Sequence, residues 1–249
     1  MSEQENELPN IKVYQPWSAP LLHFRLSDEQ IEDLLEITDL ALEDKNTKSY
    51  NDKLAGEIEG EWEIPDYEDL SEVLNLPTIS SQYFQVLASQ NLIEIEGENT
   101  TMSQHLALFA QNLDKSILIS AWFNDQKDDE YNPAHDHTGV LSGVLYLKIP
   151  EYLPSRKHHN ADGSIVFISN ECKTDGIMTN STLLLSPEVG DLFLFSSSLK
   201  HQVYPFRTAD KKGIRRSLSF NMGHKTLSHE DLEKLMQKKI QLGDKKING

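Results

Sequence analysis

Cysteine is nearly absent from this 249-residue chain, where Cys172 stands alone. A single thiol cannot form an intrachain disulfide, so the fold must hold without one, as suits a reducing compartment. Long apolar runs are missing too. No stretch approaches the roughly 18 apolar residues of a membrane helix. The acidic opening Met1-Ser2-Glu3-Gln4-Glu5-Asn6-Glu7 lacks the apolar core of a signal peptide. A cytoplasmic protein with no membrane partner is therefore expected. Basic residues are scarce, 23 against 40 acidic ones, for a formal net charge of -17. Such a surface does not track phosphates, so no nucleic-acid partner is expected. Much of the negative charge falls in the first hundred residues, as in Glu57-Ile58-Glu59-Gly60-Glu61-Trp62-Glu63, a run that reads as a solvated face.

The 38% hydrophobic content is modest but enough for one core. The pattern predicts a single domain over residues 1–249. It comprises an N-terminal helical part (1–114), a β core (115–225) and a C-terminal helix (226–249). Ser27 and Gln30 form a capping box. Ile31, Leu34, Leu35, Ala41 and Leu42 then share one face of a helix running to about Asp44. Residues 45–65 read as a polar loop. Further helices are predicted near 67–75 and 79–92, separated by Pro77, and near 101–112. From residue 116 the texture changes to strands at 117–123, 140–149, 164–169, 181–186, 191–196, 200–204 and 213–221. The second of these is apolar almost throughout, which predicts burial on both faces. Seven or so short strands with turn chemistry between them indicate a sandwich or barrel. Ser228 would cap the last helix.

The stretch Tyr131-Asn132-Pro133-Ala134-His135-Asp136-His137 leads into the apolar strand. His135 and His137 are two apart, so on extended backbone both imidazoles point to one face and Asp136 to the other. That is half of a metal site. His201 follows a later apolar strand and is a candidate for the other half. The strand around Arg215 alternates. Arg215, Ser217, Ser219 and Asn221 are polar, while Ile214, Leu218 and Phe220 are apolar. If the polar face lines a pocket, Arg215 offers a planar fork to a carboxylate. Arg216 falls on the packing face, where its head would snorkel to water.

The ordered set is His-x-His, an apolar Ser-Gly-Val-x-Tyr strand, Pro-x-x-Gly-Asp, a further His, then Arg-x-Ser. Over about 116–222 it resembles the iron(II)/2-oxoglutarate-dependent oxygenases, and more narrowly a phage and bacterial subgroup near the prolyl-hydroxylase branch. The resemblance implies a double-stranded β-helix, a jelly-roll fold. It implies Fe(II) as cofactor, held by His135, His137 and His201, and 2-oxoglutarate and O2 as cosubstrates. Arg215 and Ser217 match the Arg-x-Ser that holds the distal carboxylate of 2-oxoglutarate. Tyr146 matches a strand tyrosine touching the same carboxylate, and Asn124 is a candidate for the cosubstrate's other end. The activity implied is a hydroxylase-type dioxygenase reaction, in which 2-oxoglutarate is decarboxylated to succinate as a protein or small-molecule substrate is oxidised.

His137 departs from the usual superfamily pattern, which carries Asp or Glu at that position; the subgroup itself often carries His. Asp136 could serve as ligand only if the turn is not extended. Two other readings stay open. One is a non-catalytic metal-binding jelly-roll module. The other is a cupin-like three-histidine dioxygenase without 2-oxoglutarate, although Leu141 stands where a cupin places Glu. The loop 151–162 could be a lid, and its His158-His159 pair reads as solvated. His23, His105, His224 and His229 read as surface or satisfied core residues.

Overall fold

The computed structural model describes residues 12–14, 20–89, 116–154, 161–169 and 181–224. The chain enters on β1 (Lys12–Tyr14) and β2 (Leu21–Arg25), then turns into α1 (Asp28–Glu43). The capping box is present. Ser27 Oγ accepts from the Gln30 N–H at 3.3 Å, and Gln30 Oε1 accepts from the Ser27 N–H at 3.2 Å. Satisfying two otherwise orphaned donors in this way is worth about 1 kcal/mol. The Gln30 amide also donates to Val73 O at 2.8 Å, tying α1 to α2 (Tyr67–Val73).

The next helix, α3, spans Leu76–Ser89 and takes Pro77 into its first turn. Pro77 thus does not separate the two helices as expected. Asn75 does so, with φ 48°, a left-handed conformation that ends α2. In the first turn proline loses no helical hydrogen bond, which is why it is tolerated there. The expected polar loop at 45–65 also holds a strand, β3 (Glu61–Glu63). Its three residues are too few, and too charged, to show a strand period.

Eight strands follow or continue the run: β4 (Ser116–Gln126), β5 (Asn132–His135), β6 (Leu141–Lys148), β7 (Ile165–Ile168), β8 (Thr182–Leu185), β9 (Asp191–Ser196), β10 (Lys200–Val203) and β11 (Arg215–His224). They form two antiparallel sheets. The larger has the order β1-β2-β9-β6-β11-β4-β3 and the smaller β5-β10-β7-β8. Along β4 to β11 the chain passes from larger to smaller sheet and back. This makes the predicted double-stranded β-helix, a jelly roll with flanking helices. β1, β2 and β3, all from the first hundred residues, extend the larger sheet at its two ends.

Alternation assigns the two faces of the larger sheet. Phe123, Leu145, Leu192, Leu218 and Phe220 pack against Leu34, Ala41, Leu70 and Phe84 of the helices. Val144, Tyr146, Phe193 and Phe195 face Ile165 and Phe167 of the smaller sheet. β6 is buried along nearly its whole length, as its apolar run predicts.

Arg216 stands on the helix side, but its head does not snorkel. It is 3% exposed, with Nε and Nη2 each donating to the Asp125 carboxylate at 2.6 Å. Nη1 donates to Thr38 Oγ1 at 3.1 Å and to Asp39. The carboxylates reach it from α1 and β4, so water is not needed. Ile214 precedes β11 and is exposed rather than packed. His23 is a satisfied core residue, bonded to Asp191 at 2.6 Å. The helices expected near 101–112 and after Ser228, and the His158-His159 pair, lie outside the described residues. Among the described residues, no helix is long and apolar enough to cross a membrane.

Candidate metal centre

Register brings the three histidines together. His135 on β5 and His201 on β10 are direct cross-strand partners, so their side chains leave on one face. Their ring centroids are 4.4 Å apart. His137 lies just past β5, where its N–H donates to Ser197 O at 2.9 Å. Its ring centroid is 4.9 Å from each of the others. Gly139, with φ 116°, then turns the chain so closely past Met222 O that an added Cβ would sit 2.7 Å from it. Glycine is needed there both for the positive φ and for the approach.

The three imidazoles form a group that could hold a metal ion. His135 Nδ1 donates to Pro133 O at 2.7 Å and His201 Nδ1 to Leu199 O at 3.1 Å. Each bond fixes the proton on Nδ1 and leaves Nε2 a bare lone pair aimed inward. His137 Nε2 lies 3.2 Å from His201 Nε2. Two nitrogens each about 2.1 Å from one divalent ion stand about 3.0 to 3.4 Å apart, between octahedral and tetrahedral angles. Candidate ligand atoms of all three residues lie within 4.8 Å of one another.

Burial, and then the neighbouring imidazoles, hold the His201 pKa well below the ordinary value. The same causes bring His137 down to about 4, and burial lowers His135. All three are neutral at pH 7, the state that binds metal. Asp136, between the two histidines, is exposed.

The residues expected to hold a cosubstrate line the same pocket. Ser217 on β11 is the register partner of Asn124 on β4 and of Tyr146 on β6, so the three form one row across the sheet. Arg215 starts the next row, opposite Gln126. Its guanidinium donates to Gly163 O at 2.5 Å and to the Gln126 amide oxygen. It sits 5.6 Å from the ring centroids of Tyr146 and Phe206. The Tyr146 hydroxyl is fully buried and has no hydrogen-bond partner among the described residues. Burial raises its pKa, with Arg215 opposing. Arg215 Nε is also unpartnered. Asn221, the last residue of the polar face, serves structure instead. It accepts from Ser142 Oγ at 2.7 Å and donates to Ser120 Oγ at 2.9 Å.

One residue that lines the pocket and two beside it escaped the sequence reading. Gln126 shares a β4 face with Asn124, so alternation alone could have found it. Tyr152 stacks on Phe206 at 4.8 Å beside Gly163. No periodicity marks a loop tyrosine. Glu61, in the acidic run read as solvated, is 1% exposed. Its place on an edge strand is not visible in a run of charges.

The family model described as "Putative 2OG-Fe(II) oxygenase" matches residues 120–221, bearing out the resemblance across most of the β core. No curated protein matches the chain. Among solved structures, it is similar to a prolyl-4-hydroxylase from Pseudomonas putida, at 12% identity and a TM-score of 0.44, over 83% of this chain and 93% of that one. It is also similar to HygX from Streptomyces hygroscopicus, solved with nickel and 2-oxoglutarate, at 12% identity and a TM-score of 0.46, over 85% of each chain. A third is a prolyl hydroxylase from Trichoplax adhaerens in complex with a peptide fragment of hypoxia inducible factor. There the identity is 11% and the TM-score 0.45, over 82% of this chain and 84% of that one.

Proposed function

With residues 120–221 matching the 2OG-Fe(II) oxygenase family as premise, we propose that the chain is an Fe(II)- and 2-oxoglutarate-dependent oxygenase that hydroxylates a protein or small-molecule substrate. The observation that carries the 2-oxoglutarate half is Arg215. It is 2% exposed, and among the described residues no carboxylate pairs with it. A buried guanidinium satisfied only by neutral acceptors calls for an anionic ligand. The unpartnered Tyr146 hydroxyl next to it, and Ser217 in the adjoining row, supply donors for the same carboxylate.

The residues present fit the group they would hold. His135, His137 and His201 would bind iron through their Nε2 lone pairs. Iron held there would supply, with 2-oxoglutarate and O2, the oxidising power for the hydroxylation, with succinate and CO2 as by-products. The chain's own part is positioning. The Pro133 and Leu199 carbonyls lock two imidazole tautomers. Arg215, Ser217 and Tyr146 grip the far carboxylate and so set where the keto end lies. Trp122, Phe195 and Ile58 wall the pocket and restrict water. Three neutral imidazoles would leave a bound iron one charge more positive than a carboxylate-bearing triad would, and a dianionic cosubstrate would compensate that charge. A cupin-like centre needs no such clamp, so the buried Arg215 favours the oxygenase.

The strands β1 to β3, built into the larger sheet, support reading the N-terminal part and the jelly roll as one domain. A reducing cytoplasm would keep iron ferrous and Cys172 a free thiol. The test is succinate formation from 2-oxoglutarate and O2 by anaerobically iron-loaded protein. Slow turnover without added substrate, abolished in His201→Ala, is expected. No succinate from either protein, with metal bound, would reject the reading in favour of a non-catalytic module.

A further inference from the structure

Glu61, one strand outward from this pocket, is a buried acidic residue that the reaction above leaves unused. It stands on the edge strand β3 opposite Asn124 of β4. Direct cross-strand partners share a face, so its side chain lies on the pocket side of the sheet, one strand outward from Asn124. Both carboxylate oxygens are buried without a hydrogen-bond partner among the described residues. Asn124 Oδ1 and Asn132 Oδ1 are orphaned in the same way, and both residues line the pocket. Gly56 roofs the spot. A Cβ added there would lie 3.4 Å from Glu61 Oε1 and 3.5 Å from Asn132 Oδ1, so a branched side chain at 56 would crowd both oxygens. The neighbouring Ile58 reaches the pocket wall.

The cluster sets two amide oxygens beside a buried carboxyl group, none of them with a partner among the described residues. Burying such a group without a partner is costly. Burial, with Glu130 adding repulsion, raises the Glu61 pKa to about 8. Glu130 has its own partners, accepting from the Glu59 and Lys127 N–H groups at 3.1 and 2.8 Å. Lys127 pairs with Glu59 at 2.9 Å. No cation bonded to Glu61 is found among the described residues.

We infer that the primary substrate of this site presents a cationic N–H donor, an amine or guanidinium, to Glu61 together with Asn132 and with Asn124, which then serves the substrate and not the cosubstrate's other end. A primary ammonium carries three donors and a guanidinium five, enough to satisfy the orphaned oxygens at once. Glu61 then fixes which end of the substrate enters beside the metal and discriminates against neutral isosteres, because a neutral group leaves the carboxyl unpaired. The inference deepens the oxygenase reading and rests on it for the identity of the ligand as substrate.

The test uses full-length protein loaded anaerobically with Fe(II) and 2-oxoglutarate, titrated calorimetrically with agmatine, n-butylamine and, as neutral control, butan-1-ol. Wild type should bind at least one cation and release close to one proton at pH 7, seen as a buffer-dependent enthalpy. Glu61→Gln should weaken that binding roughly 30-fold or more and abolish proton release, as loss of one partner of a buried charged pair does. Gly56→Val, a loop change outside the sheet, crowds the same two oxygens and should weaken binding of the same cation, so the test stands even if Glu61→Gln misfolds. Equal affinity of wild type and both variants would overturn the inference. So would 2-oxoglutarate binding by wild type that takes up neither cation at millimolar concentration. Failure of 2-oxoglutarate itself to bind would count against the oxygenase reading instead. A Glu61-dependent cation would still support the assignment of Glu61.

Discussion

Replacing Arg216 by Met keeps most of the side chain's length and apolar stem while removing its charge. The structure separates this residue sharply from Arg215, one position away. The Arg216 head is locked to Asp125 through two 2.6 Å bonds on the helix side of the sheet, with neither side chain more than 11% exposed. Removing the cation strands the buried Asp125 carboxylate, a loss of roughly 3–5 kcal/mol. Asp39 is 54% exposed on its side chain and rehydrates, so its share is below about 1 kcal/mol. At about 2–4 °C per kcal/mol for a chain of this size, the melting temperature should fall by about 6–20 °C. Adding Asp125→Leu to the same protein should recover most of that loss, because a well-packed apolar pair replaces a buried ion pair at little cost. Below its melting range, Arg216→Met should bind 2-oxoglutarate within about tenfold of wild type, as its head never reaches the pocket. Calorimetric scanning reads the first effect, and titration of metal-loaded, oxygen-free protein reads the second. An unchanged melting temperature, or a folded variant that has lost 2-oxoglutarate, would refute the assignment of the two faces.

Other perturbations probe the rest of the structure. Arg215→Ala should weaken 2-oxoglutarate by roughly 30- to 3,000-fold with metal content intact; an unchanged affinity in titration would remove the clamp. Tyr146→Phe deletes only an unpartnered hydroxyl. It should weaken 2-oxoglutarate about 10- to 100-fold, the worth of a hydrogen bond to a charged group, without lowering the melting temperature. Gly139→Ala combines a disfavoured φ with a Cβ 2.7 Å from Met222 O; it should destabilise by more than about 1 kcal/mol and loosen metal binding through His137. Because the Glu61 pKa is raised to about 8, the folded state keeps its proton where the unfolded chain has lost it. Glu61 therefore destabilises the protein increasingly from about pH 4.5 to pH 8. The melting temperature of Glu61→Gln minus that of wild type should grow over that window in the ligand-free protein, and a flat difference would contradict the burial.

Much of the site was legible because β-structure repeats every second residue. That period placed His135 and His137 together and Asp136 outside, and it sorted Arg215 and Ser217 from Leu218 and Phe220. The capping box at Ser27 and seven of the eight strands from residue 116 on follow from equally local rules; β5 (Asn132–His135) did not, because its short polar run around Pro133 reads as a turn. What stayed hidden depends on distant partners. Arg216 is buried because Asp39 and Asp125 come to it from α1 and β4, and no local pattern announces either. Glu61 is buried because three residues of a charged run add an edge strand to the sheet. Pro77 reads as a helix breaker, yet it occupies a first turn because Asn75 has already ended the preceding helix.

The three-histidine centre is tested most directly by metal stoichiometry. Wild type, His135→Ala, His137→Ala, His201→Ala and Asp136→Asn would be dialysed anaerobically against Fe(II) and their bound iron counted. One iron per chain is expected in wild type and Asp136→Asn, with little in any histidine variant, since each imidazole supplies a large share of the site. Full iron content in His201→Ala, or loss in Asp136→Asn with retention in His137→Ala, would contradict the assignment.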